Sequence, residues 1–249
     1  MKTVFITGGS SGIGFSLAQN YISRGDRVII TGRTEAKLNE AKQKLLQFGD
    51  KVIAKLIDVK DEKAMSEYLL EVDNEYTIDI LIANAGVSAG VTNIEDFHST
   101  AKEIFDINVY GVFNTVHPLL KKMQERKKGQ IVLICSMSAF FGLTSAVFYA
   151  SSKAAIKSYG EGLRILMSDY NVDVSTVFPG FVESNITRAN KFGMPFLIGA
   201  EQAASIIIQG LDKKKGYILF PLRMRLLIGF LAHLPFSWRE KILKRLPHK

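Results

Sequence analysis

The sequence predicts a doubly wound α/β fold, with one parallel sheet of about seven strands and helices on both faces. Three observations point there. Short apolar runs alternate with helical patterns along most of the chain. The first run passes directly into the glycine-rich stretch GGSSGIG, which opens a helix. Between Gln130 and Lys157, an apolar run ends at a serine and leads into a helix with a tyrosine and a lysine four residues apart.

Taken in order, Thr3 to Thr7 (TVFIT) is the first strand. Its β-branched residues favour extended backbone. Gly8, Gly12 and Gly14 follow, then a helix from Phe15 through Tyr21 that ends near Gly25. Glycines let backbone approach a pyrophosphate, and a helix N-terminus offers free N–H groups and a favourable dipole. The spacing is TGxxxGxG, and Thr7, Gly8, Ser10, Ser11, Gly12, Ile13 and Gly14 are candidate cofactor-binding residues.

Arg27 to Thr31 is the second strand, followed by Gly32-Arg33-Thr34 and a charged helix to about Phe48. An acid at this strand end suits the ribose hydroxyls of NAD, and an arginine suits the 2′-phosphate of NADP. Here the acid is absent and Arg33 is present. The expectation is a preference for NADP(H), and a solvated loop arginine is the alternative. Lys51 to Ile57 is the third strand. Asp58 and Val59 at its end suit an adenine amino group and ring face. An amphipathic helix runs to about Tyr76. The strand IDILIA then leads into Asn84-Ala85-Gly86, small residues that let backbone pass close to a nicotinamide ribose.

A long helix is expected from about 99 to 127, with Asn108 inside the apolar segment FDINVYGVF. Asparagine is unfavourable within a helix, so a buried amide there needs partners. Ile131 to Cys135 is a buried strand ending at Ser136. Tyr149 and Lys153 share one helix face. An ammonium beside a phenol favours the phenolate, and Ser136 can hold a carbonyl oxygen against that phenol. Val172 to Phe178 is the sixth strand, before PGFVESN, which contains Pro179, Gly180, Val182 and Ser184. Glu201 to Leu211 is a helix, and Tyr217 to Phe220 the last strand.

These pieces, in this order, resemble the short-chain dehydrogenase/reductase family in its compact, single-domain form. They are Thr7-Gly8-(x3)-Gly12-Ile13-Gly14, Asp58, Asn84-Ala85-Gly86, Asn108, Ser136, Tyr149-(x3)-Lys153 and Pro179-Gly180. The resemblance covers residues 3 to about 220. It implies a Rossmann-type domain over residues 1–220, with Tyr149 as acid/base and Ser136 orienting the substrate carbonyl. Lys153 would bind the nicotinamide ribose and lower the tyrosine pKa. Asn108 would hold a water linking Lys153 to a proton relay. Ser184 stands where the family often has threonine and can still donate to the carboxamide. The resemblance also implies a homodimer or tetramer.

Composition bounds the rest. The chain has 249 residues, one cysteine and four histidines without metal-ligand spacing, so no metal site is expected. Cys135 cannot form an internal disulfide. With an apolar run beginning at Thr3, no signal peptide is expected, and a cytoplasmic, reducing setting fits. Residues 213–249 hold ten Lys/Arg and one acid, a net of +9. Against a total of +8, the first 212 residues sum to −1. A near-neutral body argues against a nucleic-acid partner.

Residues 185–200 form an expected substrate loop with Phe192, Met194, Phe196, Leu197 and Ile198. It suits a hydrophobic substrate, unless these side chains pack on the core. Residues 221–249 form a basic, apolar extension. Its charge-free stretch, Leu226 to Trp238, is too short to span a bilayer. It suits peripheral contact with an anionic membrane surface; a helical hairpin covering the pocket or a second subunit is the alternative. The reading is an NADP(H)-dependent reductase or dehydrogenase acting on a small-molecule carbonyl or alcohol, with a non-catalytic NADP-binding scaffold or redox sensor as the alternative.

Overall fold

A computed structural model of the chain describes residues 1–89, 93–188 and 193–244. Seven strands form one parallel sheet: β1 (Thr3–Thr7), β2 (Arg27–Gly32), β3 (Val52–Leu56), β4 (Ile80–Ala83), β5 (Gly129–Ile134), β6 (Val172–Pro179) and β7 (Tyr217–Phe220). Their order is β3-β2-β1-β4-β5-β6-β7. The chain winds outward from β1 in one direction through β3, then returns through β4 to wind in the other. The strand order therefore reverses between β1 and β4, and a crevice opens at their C-terminal ends.

The helices cover both faces. On one side lie α1 (Gly12–Ser23), α2 (Glu35–Leu46) and α8 (Ala200–Asp212), packed on Val4, Ile6, Val28, Ile30, Val132 and Val177. On the other lie α3 (Glu62–Tyr76), α5 (Gly111–Arg126) and α6 (Val147–Ser168), packed on Phe5, Ile29, Leu81, Ile131 and Leu133. Neighbouring strand residues point to opposite faces, so one continuous apolar strand feeds both cores. This is why the strands read as unbroken apolar runs.

The long helix expected from 99 to 127 is interrupted. It consists of α4 (Phe97–Phe105), a π-helical turn over Asp106–Tyr110, and α5. Hydrophobic periodicity does not register such an inserted residue; Asn108 sits buried within that turn. After β6 comes the short α7 (Asn185–Arg188). The described residues close with two consecutive helices, α9 (Leu222–His233) and α10 (Phe236–Leu243). Met224 is buried in the second core, and Ile228 packs against it. No helix among the described residues is long and apolar enough to cross a membrane.

Candidate active site

The crevice at the reversal point is a cleft of about 490 Å³. Gly8, Ser10, Ser11, Gly12, Ile13, Arg33, Asp58, Val59, Asn84, Ala85 and Gly86 line it, with Ser136, Tyr149, Lys153, Pro179, Gly180, Val182 and Ser184. Residues scattered over more than 170 positions of sequence thus share one wall. Thr7, Gly14 and Asn108 stand behind that wall and shape it.

The glycine turn is held from across the sheet. The Thr7 hydroxyl accepts hydrogen bonds from the backbone N–H of Asn84 (3.1 Å) and of Ala85 (3.2 Å). In return, the Asn84 side-chain amide donates to the carbonyls of Thr7 (2.9 Å) and Gly8 (3.1 Å). Sequence reading gave Asn84 a place beside the cofactor and missed its work on the turn. A β-carbon at Gly14 would lie 2.5 Å from both the Gly8 oxygen and Asn84 Nδ2, so only glycine fits there. Gly8 has φ +65°, a conformation that side chains disfavour. With the first turn of α1 opening into the cleft, this cradle fits a dinucleotide pyrophosphate.

At the end of β2, Arg33 is joined in the cleft by Thr34 and Lys37. Both cations are exposed, and neither makes an ion pair among the described residues. Lys37 was missed in the sequence; the available signal was a second base in the first turn of the helix after Arg33. Asp58 and Val59 lie on the adjoining wall, where the Asp58 carboxylate accepts from the Lys60 backbone N–H (3.0 Å).

At the other end, Ser136 caps a 3-10 turn (Met137–Phe140), its hydroxyl accepting from the Ser138 N–H at 3.1 Å. Tyr149 and Lys153 arrive from the first two turns of α6. Lys153 is buried, and its ammonium donates to the Ile134 carbonyl at 2.9 Å. Burial holds the pKa of that ammonium below its ordinary value. Burial also pushes the Tyr149 phenol up to about 12, against the opposing effect of its hydrogen bond with Ser136. The expectation that Lys153 lowers the tyrosine pKa is not met here. The ammonium lies 5.8 Å from the phenol ring centroid and is engaged by Ile134, so desolvation prevails. Tyr149 is a proton donor at neutral pH in this state. The neighbouring Cys135 thiol is buried, raised to about 11, and donates to the Lys153 carbonyl at 3.1 Å.

Asn108 is fully buried within the π turn. Its side-chain oxygen accepts from the Val87 N–H (2.8 Å), and its amide donates to the Val87 carbonyl (2.9 Å) and the Ser152 hydroxyl (3.1 Å). It pins the 84–88 loop against α6. This is a positioning role for the Asn108 side chain. On the substrate side the loop divides: Ile198 packs against the core, while Phe196 and Leu197 are about 40% exposed, with Phe196 under the Arg223 guanidinium. Phe192 is outside the described residues. Thr187, also missed, lines the cleft and ties Ser184 N to the Val182 carbonyl through its hydroxyl.

The family profile described as short chain dehydrogenase matches residues 2–193. The chain belongs to the short-chain dehydrogenase family. An uncharacterised oxidoreductase of Myxococcus xanthus is 34% identical over 222 residues, 88% of this chain and 87% of that protein. Among solved structures, a short-chain dehydrogenase from Sphingobium yanoikuyae in complex with NADPH has a TM-score of 0.83 at 21% identity, covering 99% of this chain and 97% of that one. A short-chain dehydrogenase/reductase from Burkholderia phymatum in complex with NAD has a TM-score of 0.85 at 22% identity, covering 100% and 96%. These two likenesses carry the fold. The family membership makes this chain an oxidoreductase acting on CH–OH or C=O groups.

Proposed function

We propose that this protein is an NADPH-preferring reductase of lipophilic ketones, running in reverse as a secondary-alcohol dehydrogenase. One observation carries the reading: Ser136, Tyr149 and Lys153 converge at one end of a cleft whose other end holds the glycine cradle, Arg33 and Lys37. When bound, the nicotinamide supplies or accepts the hydride. Ser136 and Tyr149 hydrogen-bond the carbonyl oxygen and fix its position. Tyr149, protonated at neutral pH, delivers its proton to that oxygen as negative charge develops. Lys153, anchored on Ile134, holds the ribose end of the cofactor. Arg33 and Lys37 meet the 2′-phosphate with charge-assisted bonds. Exposed Phe196 and Leu197 support an apolar substrate.

The test is NADPH oxidation against ketones graded from small and polar to long-chain and apolar. Turnover rises with chain length and falls by about 10²–10⁴-fold in Tyr149→Phe, while cofactor affinity holds. Cofactor binding without turnover on any ketone would favour a scaffold instead.

A further inference from the structure

We propose that the α9–α10 segment docks this protein onto an anionic lipid bilayer, lying in the interface without crossing it. The argument begins with α9, which is apolar on two opposite faces. Met224, Ile228 and Leu231 turn toward the protein, with Met224 over Gly180 at the cleft wall. Leu222, Leu226 and Phe230, spaced i, i+4, i+8, turn outward, and Phe230 is 64% exposed. A helix apolar all round is normally buried all round. Here only one side is covered.

The second helix extends the same kind of surface. Nothing in α10 is buried, and Phe236 (70% exposed), Trp238 (64%) and Ile242 stand out from it. The Arg239 guanidinium lies over the Phe236 ring and donates to the Ala232 carbonyl, tying α10 to α9. Interspersed are Arg223, Arg225, Arg239, Lys241 and Lys244. The single acid of these two helices, Glu240, is already paired with Lys244 at 2.9 Å.

Charge selects the occupant. A second copy would bring one strongly basic segment against another, which repel. A nucleic acid would leave the leucines and aromatics wet. An anionic bilayer receives both, apolar side chains below the headgroups and cations among them. The surface also adjoins the substrate end of the cleft. α9 packs beside the turn that follows Ser136, and Arg223 covers Phe196 of the substrate loop. A lipophilic ketone can then enter from the bilayer, a step that rests on the reductase reading.

Trp238 is the chain's one tryptophan and reports docking directly. With phosphatidylcholine vesicles containing phosphatidylglycerol, its emission shifts to the blue and the full chain co-floats. Both effects weaken with neutral vesicles or raised salt. The variant Leu226→Glu/Phe230→Glu changes exposed positions, so its thermal unfolding matches the parent, and its vesicle affinity falls about tenfold or more. Absent flotation with unshifted emission, or equal flotation of the variant, overturns the proposal. So does a parent that sediments as a larger species which the variant dissociates while vesicles leave Trp238 unchanged; that face would then belong to a second copy. None of these readouts uses turnover, so failure here and failure of the reductase reading are separable.

Discussion

Replacing Asn108 by alanine should destabilise the protein by about 2–4 kcal/mol and loosen the nicotinamide end of the cleft. The figure follows from its partners. The Val87 N–H and carbonyl lose bonds of 2.8 and 2.9 Å, and the fully buried Ser152 hydroxyl loses one of 3.1 Å. A buried polar group left unpaired costs about 1–3 kcal/mol. Ser152 keeps its bond to the Tyr149 carbonyl (2.8 Å), so its loss is small. Val87 is only partly buried, so water recovers part of the rest. The assay is urea unfolding, where the midpoint falls at constant slope, paired with cofactor titration. Affinity drops because the loop lies directly beside both groups: a β-carbon at Gly86 would sit 3.2 Å from Asn108 Oδ1 and 3.5 Å from Lys153 Nζ. Asn108→Asp keeps the acceptor for Val87 N–H but turns the donor into a carboxylate oxygen facing the Val87 carbonyl, and it should lose at least as much stability at neutral pH. An alanine variant that loses less than about 1 kcal/mol, with unchanged cofactor affinity, would refute the assignment of Asn108 as the pin of this loop.

Three further outcomes are expected. Gly14→Ala drives a methyl group into the Gly8 carbonyl and the Asn84 amide; cofactor affinity by calorimetry falls by about tenfold or more, and unchanged affinity would show that the turn can yield. Arg33→Ala with Lys37→Ala lowers the NADPH-to-NADH affinity ratio by roughly ten- to a hundredfold, and an unchanged ratio removes both residues from phosphate binding. For Tyr149, a folded pKa of about 12 against an ordinary 10.0 means the protonated phenol is favoured by the fold. Its contribution to stability is complete below pH 10 and is lost as pH rises toward 12. Ultraviolet difference titration of the cofactor-free protein, set against Tyr149→Phe, should therefore show no phenolate from this residue near neutrality. A Tyr149-dependent signal at pH 7–8 would contradict a burial-dominated site.

Local pattern carried much of this protein. Seven apolar runs, the glycine turn after the first of them, and the four-residue spacing from Tyr149 to Lys153 are properties of consecutive residues. Unbroken apolar runs, turn chemistry and helix period made them readable without coordinates. The charge imbalance between body and tail was equally plain. What escaped depends on which groups meet across long separations. Asn84 stitches the glycine turn to a strand 77 residues away, and Asn108 reaches Val87 and Ser152 over separations of 21 and 44. No window of sequence contains both ends of such a bond, so the π turn that serves Asn108 read as plain helix. The direction of the Tyr149 pKa was likewise decided in space. Spacing placed an ammonium nearby, and only the folded chain set desolvation above it by giving that ammonium to Ile134. Composition marked the tail as apolar and basic. Its two faces, one buried on Gly180 and one open beside the substrate loop, exist only because α9 packs against β7 of the finished sheet.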